Sequence, residues 1–310
     1  MKGANTPSLS VGVNADRDGY QYRCKITDKE GFTLFSDPAD LKLRKSSEND
    51  FEIKDGELIR YLGTEKNVIV PNEVTKIGDN AFNSRSDIES ITLPTSVLSI
   101  GNSAFQNCTN LKNCTISEGT QSIGQQAFAY CSNLNNITIP NSVTKLGEKI
   151  FYRCSSLTEV SIGSGISDLP DRTFYECWSL KKVHLPDTLK TVGGHAFYYC
   201  SRLETLDIPD SVTSIKNGAF YNCTSLKNFK LPASILDIGE TSFGECRSLE
   251  YLEVPDSIQR IASRAFEDCT NLVISVPTSL SDIGTNAFGD CKEVIFRNID
   301  SQNDFEIKDG

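Results

Sequence analysis

Ser161, His184 and Asp207 stand 23 residues apart from one another in this 310-residue chain. Side by side, such a trio could run acyl transfer, the imidazole taking the serine proton and the carboxylate orienting the imidazole. The surroundings do not supply the rest of that chemistry. A nucleophilic serine needs a sharp, exposed elbow and oxyanion donors, whereas Ser161 lies in Glu159-Val160-Ser161-Ile162, an alternating strand pattern. The trio therefore reads as part of a surface charge ladder, and the chain as a non-enzyme. His184 and His195 are the only histidines, and no His-Glu-x-x-His, glycine-rich phosphate loop or EF-hand spacing occurs. Nothing argues for a metal or nucleotide cofactor.

A second pattern has more binding content. Tyr152, Tyr175, Tyr198 and Tyr221 recur at the same 23-residue interval, each directly after a phenylalanine, with Tyr130, Tyr199 and Trp178 close by. The spacing predicts a stripe of rings. Two roles stay open for it: a ladder that shields an edge, or an anchor for a partner, since Tyr and Trp dominate interface hot spots.

The elements that position these residues follow from the period itself. Phe82, Phe105, Phe128, Phe151, Phe174, Phe197, Phe220, Phe243, Phe266 and Phe288 are separated by 23 residues, except the last interval of 22. A fixed period of that length points to one solenoid rather than two globular domains. A typical unit runs Leu203-Glu204-Thr205-Leu206-Asp207-Ile208-Pro209-Asp210-Ser211-Val212-Thr213-Ser214-Ile215-Lys216-Asn217-Gly218-Ala219-Phe220. Its first six residues alternate as a strand, Pro209 ends the strand because proline cannot donate to a ladder, and the Gly-x-x-Ala-Phe part suits a short helical or 3₁₀ turn.

Of eleven cysteines, nine (Cys108, Cys131, Cys154, Cys177, Cys200, Cys223, Cys246, Cys269 and Cys291) hold one repeat position. Rungs about 4.8 Å apart keep their Cβ atoms beyond the roughly 3.8 Å a disulfide prefers. They read as buried thiols packing as small apolar groups.

The ends differ from the middle. In residues 1–45, Asp18-Gly19-Tyr20-Gln21-Tyr22-Arg23-Cys24, a turn at Asp28-Lys29-Glu30-Gly31 and a strand through Phe32, Leu34 and Leu41-Lys42-Leu43 resemble the last two strands of an immunoglobulin-like domain, with Tyr22 at the tyrosine corner. Residues 46–66 read as a linker and a capping hairpin turning at Asp55-Gly56. Asn303 to Gly310 copies Asn49 to Gly56 verbatim, so 299–310 is expected to begin a second block, and the chain to be a piece of a longer modular protein.

The repeat pattern Leu-x-x-Leu-x-Ile-Pro-x-Ser-Val-x-x-Ile-Gly-x-x-Ala-Phe-x-x-Cys-x-x-Leu, over residues 67–298 in about ten units, resembles the BspA-like branch of the leucine-rich repeat family. Local departures are Arg85 in place of the first ladder cysteine and Cys114 in place of a strand aliphatic. The resemblance implies an α/β, right-handed leucine-rich-repeat solenoid with short parallel strands on its concave face and short helical or 3₁₀ turns on the convex side. It also implies a surface or secreted protein, adhesion, and an extracellular or host protein as partner.

On such a face the two positions flanking the middle aliphatic point outward. One column runs Thr92, Thr115, Thr138, Ser161, His184, Asp207, Lys230, Glu253 and the other Ser90, Asn113, Asn136, Glu159, Lys182, Thr205, Asn228, Tyr251. The candidate ligand-binding residues are therefore Tyr152, Tyr175, Tyr198, Tyr221, Tyr199 and Trp178 from the stripe, with Lys182, His184, Asp207, Lys230, Tyr251 and Glu253 from the strands. A glycan is the alternative ligand, because aromatic stripes also stack on sugars, and an architectural spacer is a third role. A formal charge of -10 and a pI near 4.9 argue against nucleic acid and anionic membrane surfaces, and no run of 18 apolar residues predicts membrane insertion.

Overall fold

The computed structural model describes residues 50–298 together with the backbone of four short strands, Gln21–Tyr22, Lys25–Thr27, Thr33–Phe35 and Ala39–Asp40. The chain divides into two units, Met1–Lys45 and Ser46–Gly310. In the first, Gln21–Tyr22 pairs antiparallel with Ala39–Asp40, and Lys25–Thr27 with Thr33–Phe35. The expected turn at 28–31, Cys24, the strand at 41–43 and the second block at 299–310 lie outside the described residues.

The second unit is a stack of parallel rungs. The Leu-x-x-Leu-x-Ile segments form parallel ladders of three, three and five strands, the middle one being Asn136–Ile139, Glu159–Ile162 and Lys182–His184, in which Glu159 faces Lys182 and Ser161 faces His184. This is the alternation the sequence predicts, with Val160 and Ile162 buried. A further parallel ladder, two residues wide, was not expected. It comes in two stretches, from Lys76–Ile77 to Lys145–Leu146 and from Asp168–Leu169 through Thr191–Val192 and Ser214–Ile215 to Asp282–Ile283. Its first rung rests on Glu57–Tyr61, which pairs antiparallel with Phe51–Lys54. That hairpin turns at Asp55 and Gly56, both with positive φ (51° and 77°), the pair a type I′ turn requires.

The α/β assignment needs correction, because no α-helix occurs among the described residues and the Gly-x-x-Ala-Phe segments are not helical or 3₁₀ turns. They are successive tight turns in a stack of β-structure. The reason lies in the backbone. In nearly every unit the residues two before and two after the phenylalanine have positive φ, as at Arg172 (57°) and Glu176 (56°) around Phe174. A left-handed residue every fourth position stops a helix from propagating. Hydrogen bonds compensate by alternating: Arg172, Phe174 and Glu176 donate to the next rung, at Gly194, Ala196 and Tyr198, while Tyr175 and Cys177 donate back to Arg172 and Phe174 of their own turn.

The interior is two columns. Phenyl rings from Phe82 to Phe288 stack at 4.9–6.0 Å between centroids, with Tyr61 continuing the column at 5.3 Å from Phe82. Beside them run the nine ladder thiols, all free. Each Sγ donates to the phenylalanine carbonyl one rung back, at 3.0–3.3 Å. Cysteine here is thus a donor as well as a filler. Arg85 extends the scheme at its start: its guanidinium donates to the Tyr61 carbonyl at 2.8 Å and to that of Gly63, and lies 4.7 Å over the Tyr61 ring.

Candidate functional site

The outward columns of the longer ladder place the hydrolase-like trio without assembling it. His184 Nε2 lies 3.1 Å from Glu159 Oε1, so the imidazole is engaged diagonally across the ladder rather than with Ser161. Lys182 Nζ is 3.6 Å from the same carboxylate. The His184 hydrogen bond, then the Lys182 charge, hold the Glu159 carboxyl below its usual range. Asp207 falls just past the two-residue strand Thr205–Leu206 and is exposed. The arrangement is a solvated cluster of charges whose side chains are all about half exposed or more. Lys230, Tyr251 and Glu253 are likewise exposed on this side, Tyr251 at 54 %.

The tyrosines behave differently. Tyr152, Tyr175, Tyr198 and Tyr221 stack in series, with centroids 4.9, 4.6 and 5.1 Å apart and planes within 13° of parallel. Tyr130 meets Tyr152 edge-on at 5.5 Å, and Tyr199 lies against both Tyr198 and Tyr221. Trp178 stands outside this set of ring contacts and is 46 % exposed.

Each tyrosine follows a buried phenylalanine inside a tight turn, so the rungs set the ring separation and the four residues are half-buried. Burial pushes the Tyr175 and Tyr198 phenols up from their usual value. Tyr221 is pushed up first by its hydrogen bond to Glu245, whose Oε1 it reaches at 2.7 Å.

Three residues that the sequence did not single out border the stack. Lys149, Arg172 and His195 occupy one left-handed position on successive rungs, with φ of 57°, 57° and 55°. Each accepts, through its carbonyl, the amide of the tyrosine three residues on: Tyr152 to Lys149 at 3.1 Å, Tyr175 to Arg172 at 3.4 Å, Tyr198 to His195 at 3.2 Å. The His195 ring lies 5.4 Å from that of Tyr198. The signal was present in the 23-residue register, as Lys-x-x-Tyr, Arg-x-x-Tyr and His-x-x-Tyr, but nothing local marks such residues as left-handed. On the other side Arg153 pairs with Glu176 at 3.0 Å and covers the Tyr152 ring at 5.3 Å.

Among the described residues no cluster of His, Cys, Asp and Glu could hold a metal ion, and no helix is long and apolar enough to cross a membrane.

No curated protein matches the chain. Among solved structures, a leucine rich repeat protein of T. pallidum is 26% identical, covering 52% of this chain and 91% of its own, with a TM-score of 0.43. A leucine rich cell surface protein from Faecalibacterium prausnitzii is 24% identical over 93% of this chain and 97% of its own, with a TM-score of 0.44. A leucine-rich repeat protein from Bacteroides capillosus is 34% identical over 36% and 91% respectively, with a TM-score of 0.32. The profile of the BspA type leucine rich repeat region matches in six copies, over residues 61–177 and 167–295. With the strand ladders, the phenylalanine column and that profile covering most of its length, the chain belongs to the BspA type leucine-rich repeat family.

Proposed function

We propose that this chain is a non-enzymatic protein-interaction module, serving adhesion in a cell-surface or secreted protein, and that its tyrosine stack is the docking strip. The observation that carries this is the edge-on presentation of the rings. Tyr152, Tyr175, Tyr198 and Tyr221 spend their faces on one another at 4.6–5.1 Å, which leaves ring edges for a partner, while the Tyr221 hydroxyl is taken by Glu245. The strip is rigid before binding, so little side-chain freedom is lost on contact.

The same geometry counts against a sugar ligand, which needs ring faces against its C–H groups. Of the stripe residues Trp178 stands clear of the four-ring series, whereas Tyr199, also exposed, packs against Tyr198 and Tyr221. The surface location rests on family membership and on the printed description of the Faecalibacterium protein as a cell surface protein.

The test is a panel of immobilised extracellular proteins beside a glycan array, probed with the chain and with a Tyr175→Ala/Tyr198→Ala variant whose circular dichroism matches the parent. Binding to a protein, lost in the variant, is expected. Binding confined to glycans, or a protein interaction indifferent to both tyrosines, overturns the assignment.

A further inference from the structure

Independently of the tyrosine strip, we infer that the C-terminal end of the solenoid is a docking site for the chain's own Phe305-Glu306-Ile307-Lys308, which closes the last rung as an added strand. That rung exposes positions that the rung before it hides. Ile261, Phe266, Cys269 and Ile274 are fully buried, whereas their counterparts one unit on, Ile283, Phe288, Cys291 and Val294, are exposed or half-buried. Phe296, in register with the buried Val276, is 56 % exposed. Among the described residues the strands Asp282–Ile283 and Glu293–Arg297 each pair on one side only. An open strand edge beside an apolar face is a template for one more strand. Arg297 holds that edge in place, its guanidinium donating to the Val254 carbonyl at 2.7 Å and to Asp256 Oδ1 at 2.6 Å.

The opposite end shows the kind of strand that fits. There Phe51–Lys54 alternates, with Phe51 buried and Ile53 packed against the core while Glu52 and Lys54 face water. The Phe51 ring lies 5.1 Å from Tyr61, at the head of the column that Phe82 continues. Residues 303–310 repeat residues 49–56 letter for letter, so Phe305 and Ile307 bring the same two apolar side chains at alternate positions. Phe288 ends the column with Phe266 on one side, at 6.0 Å, and its other side is where Phe305 stacks.

The length of chain suits the site. Leu206 to Ile215, Leu252 to Ile261 and Ile274 to Ile283 are each nine residues, the step from a wider ladder to the two-residue one. Nine residues from Val294, which lies in register with Ile274, reach Asn303, where the repeated segment begins. The next position beyond Asp282–Ile283 therefore falls to this segment.

The test is hydrogen exchange on the intact chain, read by mass spectrometry at Glu293–Arg297. The parent is expected to exchange there about tenfold or more slowly than a Phe305→Asp/Ile307→Asp variant. Glu306→Lys, at the position whose counterpart Glu52 faces water, is expected to match the parent. Alkylation of Cys291, followed on its own peptide, should be faster in the double variant, with circular dichroism checking the solenoid in all three proteins. Equal exchange and equal alkylation in parent and double variant overturn the inference. Protection that appears only as concentration rises, together with a doubled mass in solution, would give the end to a second copy of the chain and reject it as well.

Discussion

Phe174 and Tyr175 are adjacent in the chain and each belongs to a column of stacked rings, yet the two columns arise in different ways. Phe174 is fully buried between Phe151 and Phe197, at 5.6 and 5.2 Å, and its amide crosses to Ala196 of the next rung. Its carbonyl also receives the Cys200 thiol. Tyr175 is half-buried and its amide returns to Arg172 in its own turn. The inner column joins the rungs. The outer one inherits its spacing from them, which leaves its side chains able to serve another molecule.

The largest effect that would break this comparison is an alkaline transition driven from inside. Burial pushes the Cys108 and Cys154 thiols up from 9.0 to about 12, and the other ladder thiols move in the same direction. The folded chain therefore keeps protons that the unfolded chain releases. Stability is full below pH 9 and falls as pH rises between 9 and about 12, each buried thiol adding to the downward slope. Guanidinium midpoints at pH 8 and at higher pH measure it. A variant with Tyr152, Tyr175, Tyr198 and Tyr221 changed to Phe should retain the fall at the start of that window; a flat profile in either protein contradicts the inner column's role.

Next in size is Phe174→Ala, which opens a cavity between two stacked rings and should remove about 3–5 kcal/mol in chemical denaturation. A loss below about 1 kcal/mol would mean that the rungs hold together without the rings. The smallest effect sharpens the contrast: Tyr198→Ala should destabilise by about 1 kcal/mol or less, because its ring is only half withdrawn from water. A loss as large as that of Phe174→Ala would make the tyrosines structural.

The interior was legible in the sequence because burial repeats with the chain's own period: the phenylalanines, the thiols and the pairing of Glu159 with Lys182 all lie where 23-residue spacing puts them. The turns were not. Gly-x-x-Ala-Phe favours a helical turn locally, and left-handed backbone at Lys149 or Arg172 has no local signal; bonds to adjacent rungs impose it. Two-residue strands such as Ser214–Ile215 are too short for alternation to register. The thiol-to-carbonyl bonds have no signal in the sequence, because their acceptor is the phenylalanine carbonyl of the preceding rung. At the candidate site the tyrosine stack was readable as a spacing, while the bond of Tyr221 to Glu245 and the diagonal bond of His184 to Glu159 depend on where side chains go once the rungs are assembled.

The left-handed turn residues hold their place through main-chain bonds, as when the Arg172 amide reaches the Gly194 carbonyl at 2.8 Å. Lysine, arginine, histidine, asparagine and tyrosine all occupy such positions. The scaffold therefore behaves like a pegboard with fixed hole spacing, on which new chemical groups can be mounted one unit at a time without redrawing the board.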